Sequence, residues 1–236
     1  MSAGLPVPKR VFGHGFLNVE GAKMSKSLGN VLSPQTMVEE FGLDQLRYFL
    51  LREVPYGSDG SFSREQIINR INGDLANDYG NLAQRVLSMI NKNCSAAVPE
   101  PGAFTKADEK MLVSAADALA DVRASFENLA FHEALERIWS VIRAANAYTD
   151  HQAPWALRKE DPTRMATVLY VLAETVRCLA ILTQPFMPRA SARLLDQLGV
   201  AERARDFAAI SARLVAGTSL PKPEGVFPRF VQDAAE

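Results

Sequence analysis

The chain has 236 residues, enough for one large or two small domains, and its 47 % hydrophobic content is that of a globular protein with a substantial core. Its formal net charge is −1, from 26 Lys and Arg against 27 Asp and Glu. That balance excludes a protein that holds nucleic acid by general electrostatics, since such binding grows with the phosphates neutralised, so any nucleic-acid contact must be local and specific.

The β-branched and aromatic run from Arg10 to Leu17 predicts a strand, with a turn at Asn18-Val19-Glu20-Gly21. After it comes Lys23-Met24-Ser25-Lys26-Ser27, continued by Leu28-Gly29-Asn30-Val31. Two ammonium groups, two hydroxyls and a glycine in one short segment can surround a polyphosphate and follow its charge as it moves, which is ATP chemistry. Lys26 is the expected stabiliser of charge building on the phosphates, and Lys23 a supporting contact. Ser25 and Ser27 either donate to phosphate oxygens or shape the loop. A solvated basic loop is the plain alternative for any lone K-x-x-K. His14, on the predicted strand, suits a structural role better than a wall of a nucleotide site.

Ser33-Pro34 supplies a capping oxygen and an N1 proline for a helix to about Phe41, ended by Gly42. A second short helix begins at Leu43, runs to Leu51 and is closed by Pro55. The turn chemistry of Tyr56 to Ser61 marks a domain boundary. Beyond it the chain reads as helical. Ser63 and Gln66 form a capping-box pattern, and Ile67, Ile71, Leu75, Tyr79, Leu82, Val86 and Met89 predict one long helix to Lys92, about 45 Å if unbroken. Gly73 and Gly80 weigh against it, each costing a helix interior roughly 1 kcal/mol. The Pro- and Gly-rich stretch from Ala96 to Phe104 is a loop. Thr105 caps a helix with Met111, Leu112, Ala115, Leu119, Val122 and Phe126 on one stripe, and Phe131, Leu135, Ile138, Val141, Ile142 and Ala145 line another. Asp161-Pro162 opens a helix whose buried side is Val168, Leu172, Val176, Leu179 and Leu182, stopped by Pro185, and a shorter one spans Ser191 to Leu198. Amphipathic helices with short loops pack as a bundle, so the fold class is mainly α, with an extended tail over Leu220 to Phe230.

Cys94 and Cys178 lie far apart with no Cys/His ligand spacing. No metal site and no disulfide framework are expected, and both suit reduced thiols of a cytoplasmic protein. No apolar run approaches the roughly 20 residues of a membrane span, and the first residues lack a signal-peptide core, so no membrane partner is expected.

Asn81 and Arg85, spaced i, i+4, project from one face of the long helix, where an amide and a guanidinium can read the edge of an unpaired RNA base. Spacing alone favours a helix–helix hydrogen bond for them. Trp155, in the break Gln152-Ala153-Pro154-Trp155, could offer a stacking platform, although a Trp at a helix junction is more often core. Asn146 and Tyr148 flank the same junction.

Resemblance ties these residues together. The strings Gly13 to Val31, Asp44-Gln45-Leu46-Arg47-Tyr48-Phe49-Leu50-Leu51-Arg52-Glu53, Gly80-Asn81-Leu82-Ala83-Gln84-Arg85 and Ala153-Pro154-Trp155 resemble the C-terminal part of bacterial methionyl-tRNA synthetases, class I aminoacyl-tRNA synthetases, over essentially the whole chain. The lysine motif alone also fits the isoleucyl, valyl, leucyl and cysteinyl enzymes, whereas the Arg47-Tyr48-Phe49-Leu50 and G-N-L-x-x-R segments point to the methionyl branch. The resemblance implies three parts. Residues 1–30 would be the last strand and signature loop of a Rossmann-type catalytic domain, 31–62 a small α/β stem-contact region, and 63–236 a helical anticodon-binding bundle whose tail near Val226 to Phe230 returns to the connection. It implies that Lys26 serves methionine activation, with Lys23, Ser25 and Ser27 around ATP and Mg²⁺ arriving with it, and that Asn81, Arg85 and Trp155, with Asn146 beside them, read the CAU anticodon of tRNA(Met).

One departure is large: no H-I-G-H sequence occurs, and His14-Gly15 cannot replace it. The methionine pocket and most of the nucleotide-binding sheet would belong to an N-terminal half outside this sequence. The chain alone is therefore expected to be inactive as a methionine–tRNA ligase, using ATP and methionine only when joined to that half. No DNA partner is implied. A non-catalytic anticodon-binding module is the alternative reading.

Overall fold

The computed structural model describes residues 4, 6–19, 21–25, 27 and 29–231. The chain is mainly helical, with a small sheet at its N-terminal end. Strand β1 (Leu17–Val19) pairs antiparallel with β2 (Ala22–Lys23) and parallel with β3 (Gly60–Phe62), in the order β2-β1-β3. This corrects the expected strand at Arg10 to Leu17: only its last residue is in a strand, and the expected turn holds most of β1. Gly15 shows why the start moves. The backbone there lies so close to Ser58 that a Cβ would sit 2.0 Å from the Ser58 carbonyl, and pairing begins only after Gly60 donates to the Phe16 carbonyl at 2.8 Å. His14 is therefore exposed ahead of the sheet, not on a strand.

Helices α1 (Pro34–Phe41) and α2 (Leu43–Glu53) meet at Gly42, whose φ of 88° suits only glycine at little cost. Polar groups of α2 then anchor it to the bundle. Asp44 accepts from the Ala190 N–H at 2.6 Å, near the start of α9 (Pro188–Gln197), while Arg47 donates to the Phe186 and Pro185 carbonyls at 2.9 and 2.7 Å. Tyr48 is fully buried against Trp139, with ring centroids 4.6 Å apart, and donates to Asp74 at 2.6 Å. Burial and the Asp74 carboxylate push its phenol well above the ordinary range, so it stays a donor.

The predicted long helix is continuous but not uniform. It begins as α3 (Arg64–Arg70), capped by Ser63, loosens to π-helical turns over Ile71–Gly80, and resumes as α4 (Asn81–Asn93). The four-residue spacing of Ile67, Ile71, Leu75 and Tyr79 exceeds the 3.6-residue turn, and the wider turns help keep these side chains on the buried face. Gly80 has a second purpose, since the tail crosses it with Phe227 Cβ 3.2 Å from where a Cβ would stand. The tail continues to α1, where Phe230 stacks near Phe41 at 5.3 Å and exchanges hydrogen bonds with Asn72.

Helix α5 (Lys106–Glu127) starts in a capping box of Thr105 and Asp108, and α6 (Phe131–Gln152) packs along it. The break before Trp155 proves to be a turn into a separate helix, α7 (Pro154–Glu160), and α9 starts at Pro188 rather than Ser191. Helix α8 (Pro162–Thr183), capped by Asp161, departs furthest from expectation. It is buried on nearly every side instead of on one stripe, because α4, α5, α6, α7 and α9 surround it. Contrary to the sequence reading, its length and mean hydropathy of 1.7 would suit a membrane span, but 94 % of that window is buried inside the bundle. Its charged residues are paired: Arg177 binds Glu174 at 2.5 Å and the carbonyls of Ala209, Ile210 and Ala212, while Glu174 accepts from Leu214 N–H at 2.9 Å. This pair ties the segment after α9 to the core. Burial beside Glu174 pushes the Cys178 thiol up to about 12, so it is inert; Cys94 is half-buried and also free.

Candidate nucleic-acid interface and phosphate-binding loop

The loop after β2 is held at its base by Asn30, a residue with no signal in the sequence beyond its place after a glycine. Its Oδ1 accepts from Ser25 N–H at 2.8 Å and its Nδ2 donates to the Lys23 carbonyl at 3.2 Å. The Ser25 and Ser27 hydroxyls bond each other at 2.7 Å, and the Lys23 ammonium rests 4.9 Å from the centroid of the exposed Phe16 ring. Thus the structure brings together Lys23, Ser25 and Ser27. Lys26 lies outside the described residues. One of the two serine hydroxyls keeps its O–H free, the other can release its own, and Lys23 is exposed, so the groups can turn to an anion at the cost of one hydroxyl pair and one cation–π contact. No cluster of three His, Cys, Asp or Glu residues stands ready for a metal among the described residues.

The second site is on the bundle. Pro154 disfavours right-handed helical backbone at the residue before it, so α6 ends at Gln152 and Ala153 adopts a left-handed conformation with φ 43° and ψ 57°. For alanine this costs about 1–2 kcal/mol. The strained residue is held on both sides. Its N–H donates to Thr149 at 3.0 Å, its carbonyl accepts from Ala156 at 2.8 Å, and Pro154 is buried.

The chain reversal sets Trp155 on the surface with 51 % exposure, which overturns the core reading that its junction position favoured; the core tryptophan is Trp139, 1 % exposed. From α4, the Arg85 guanidinium lies 5.6 Å from the Trp155 ring centroid and donates to Asp150 at 2.9 Å. Arg85 therefore makes the helix–helix contact expected from spacing and joins the aromatic platform at once. One turn earlier, Asn81 is exposed and bonds no other described side chain. Asn146 is used otherwise: its amide donates to the carbonyls of Asp78, at 3.1 Å, and Ile142, pinning α6 to the π-helical turns. Tyr148 points inward, donating to Asp108 at 2.5 Å. Asn81, Arg85 and Trp155 thus share one surface, while Asn146 and Tyr148 support it from beneath.

Beneath the platform is a buried polar network that sequence patterns did not reveal. Asp108 is fully buried and receives Arg164 through both nitrogens, at 2.5 and 2.7 Å, besides Tyr148 and Thr105. Burial alone would raise its pKa, but the Arg164 and Tyr148 hydrogen bonds outweigh this and hold the carboxyl at about 2. Arg164 also donates to Gln152 Oε1 at 2.6 Å, the last residue of α6 before the strained alanine. An exposed indole with a guanidinium beside it and an unpaired amide one turn away can stack one unpaired base and hydrogen-bond its edge.

Comparison with known proteins agrees with this geometry. The family described as tRNA synthetases class I (M) matches residues 1–87, and the anticodon binding domain of methionyl tRNA ligase matches residues 98–236. The chain is 57 % identical over 233 residues to a methionine–tRNA ligase of Brucella suis, covering 98 % of this chain and 45 % of that protein, and 52 % identical to one from Mycobacterium leprae. Mycobacterium tuberculosis methionyl-tRNA synthetase in complex with methionyl-adenylate superposes with a TM-score of 0.92 at 52 % identity, over 97 % of this chain and 46 % of that one. The chain spans a little under half the length of the relatives it matches. An anticodon-domain match over more than half its residues, on a bundle that sets Arg85 against an exposed Trp155, establishes that the chain belongs to the methionyl-tRNA synthetase family and corresponds to its C-terminal region.

Proposed function

We propose that this chain supplies two parts of a methionine–tRNA ligase, the phosphate-binding loop for activation and the reader of the tRNA(Met) anticodon. In activation, the methionine carboxylate attacks the α-phosphorus of ATP and pyrophosphate leaves, so negative charge builds on phosphate oxygens. Lys26, with Lys23, Ser25 and Ser27, would follow that charge and stabilise the transition state more than the bound substrate. Mg²⁺ would arrive with ATP. Transfer of the methionyl group to a tRNA hydroxyl, with AMP leaving, completes the reaction. No H-I-G-H sequence is present, so catalysis is proposed only for the chain joined to a segment that supplies it. We assign residues 1–30 to the catalytic part, 31–62 to the stem-contact region and 63–236 to anticodon recognition, in a cytoplasmic protein.

The observation that carries this reading is the half-buried Arg85 guanidinium against the exposed Trp155 ring, one turn from exposed Asn81, which bonds no other described side chain. In it Trp155 stacks an anticodon base, Arg85 and Asn81 bond its edge, and Asn146 fixes the helix spacing. The test is binding of the chain to a CAU anticodon stem-loop against the same hairpin with its first anticodon base changed. Selective binding is expected, and Trp155→Ala should weaken the cognate complex by roughly 1–3 kcal/mol, the worth of one stacked base. A folded W155A variant that binds as tightly as the parent would refute the interface.

A further inference from the structure

Trp155 is exposed, yet its backbone is fixed from the interior. Helix α6 ends at Gln152, Ala153 holds a left-handed backbone, and Pro154 starts α7 buried. Among the described residues, the Gln152 carboxamide is the side chain next to this turn that is tied to the core. Its oxygen accepts from Arg164 at 2.6 Å, and Arg164 is itself locked in a two-point pair with fully buried Asp108. Tyr148, one turn before Gln152 on the same helix, donates to the same carboxylate. Tyr148 from the end of α6 and Arg164 from the start of α8 thus converge on one buried carboxylate, and Gln152, the residue before the strained alanine, joins them through Arg164. Strain of this kind persists only where its surroundings over-determine it, and it concentrates where a group must be held ready.

We propose that Gln152, anchored by the Asp108–Arg164 pair, is a positioning residue for anticodon recognition: it holds the Ala153 turn so that Trp155 stands preformed beneath Arg85 for the incoming base. This rests on the interface reading above. Preorganisation saves the ordering that a mobile indole would undergo on binding, so loosening the turn lowers affinity without removing any group that touches RNA.

The test is a double-mutant cycle on the full chain with the CAU stem-loop, using Gln152→Met, Trp155→Ala and both together. Met keeps the bulk of Gln152 and lacks the acceptor. Q152M is expected to weaken binding by up to about tenfold, the upper range for a single ordinary hydrogen bond. Its effect should vanish in the W155A background, because Gln152 acts only through the ring. Acrylamide quenching gives an independent readout, since Trp139 is buried and only Trp155 is accessible; Q152M should raise quenching of the free protein. If Q152M lowers the melting temperature, Gln152→Glu, which keeps an acceptor for Arg164, should restore the quenching of the parent. Unchanged affinity in Q152M with weakened W155A would overturn the positioning role and leave the interface standing. Additive losses in the double variant would overturn it too, since Gln152 would then act apart from Trp155. Unchanged affinity in W155A itself would bring down the interface reading and this inference with it.

Discussion

The loop of residues 21–30 and the α6–α7 junction both present polar or cationic groups to solvent, but they are held in opposite ways. In the loop, described side chains bond chiefly one another: Ser25 to Ser27, Lys23 against Phe16, and Asn30 across the base. At the junction, Trp155 rests on a backbone pinned by Pro154, Gln152 and a fully buried carboxylate, and Arg85 of α4 lies against its ring. A group that must follow moving phosphate charge gains from a weak, exchangeable hold, whereas one that must select a base gains from being fixed beforehand.

The largest expected effect breaks the second kind of hold. Arg164→Ala leaves Asp108 buried without its partner and should cost about 3–5 kcal/mol in urea unfolding. A loss under about 1 kcal/mol would mean that the network is not the anchor of the junction. The same pair predicts an acid limb. The Asp108 carboxyl lies below its ordinary value in the folded state, so the unfolded chain binds the proton more readily. Its stabilisation is complete above about pH 4 and is lost as pH falls through about 2, which acid titration by circular dichroism measures.

The loop should answer differently. Asn30→Ala removes two hydrogen bonds at the loop base, and in a chimera joined to the N-terminal segment of the Brucella suis relative it should slow methionine-dependent ATP–pyrophosphate exchange by about tenfold, or 1.4 kcal/mol. Hairpin affinity and melting temperature should hold. A matching fall in hairpin binding would erase the contrast between the two regions. The smallest effect concerns the exposed ion pair. Asp150→Ala frees Arg85 from its carboxylate, and should tighten hairpin binding by about 0.5–1 kcal/mol while weakening discrimination against the altered hairpin. Comparing the two hairpins over a salt series checks it.

Parts of the candidate sites were legible in the sequence for definite reasons. Lys23, Ser25 and Ser27 stand close because they are close in the chain, and the i, i+4 spacing of Asn81 and Arg85 survives because α4 begins at Asn81 with regular turns. Distance in sequence hid the rest. Asp150 meets Arg85 across 65 residues, and Arg164 meets Asp108 across 56, contacts that no local pattern encodes. The exposure of Trp155 does not follow from its junction position alone, where a tryptophan more often packs inward, but from the turn at strained Ala153 that reverses the chain.

Capping residues, prolines and apolar spacing by themselves determined the helices and most of their ends, because those signals act within one or two turns of backbone. Tertiary structure decided what lies inside. The stripe read on α8 became burial on all sides because five helices surround it, and the strand expected at Arg10 to Leu17 slid toward Val19 because its partner, Gly60–Phe62, lies about forty residues on. Pairing and enclosure depend on elements remote in sequence, and so does the buried Asp108 carboxylate on which the proposed base-stacking surface rests.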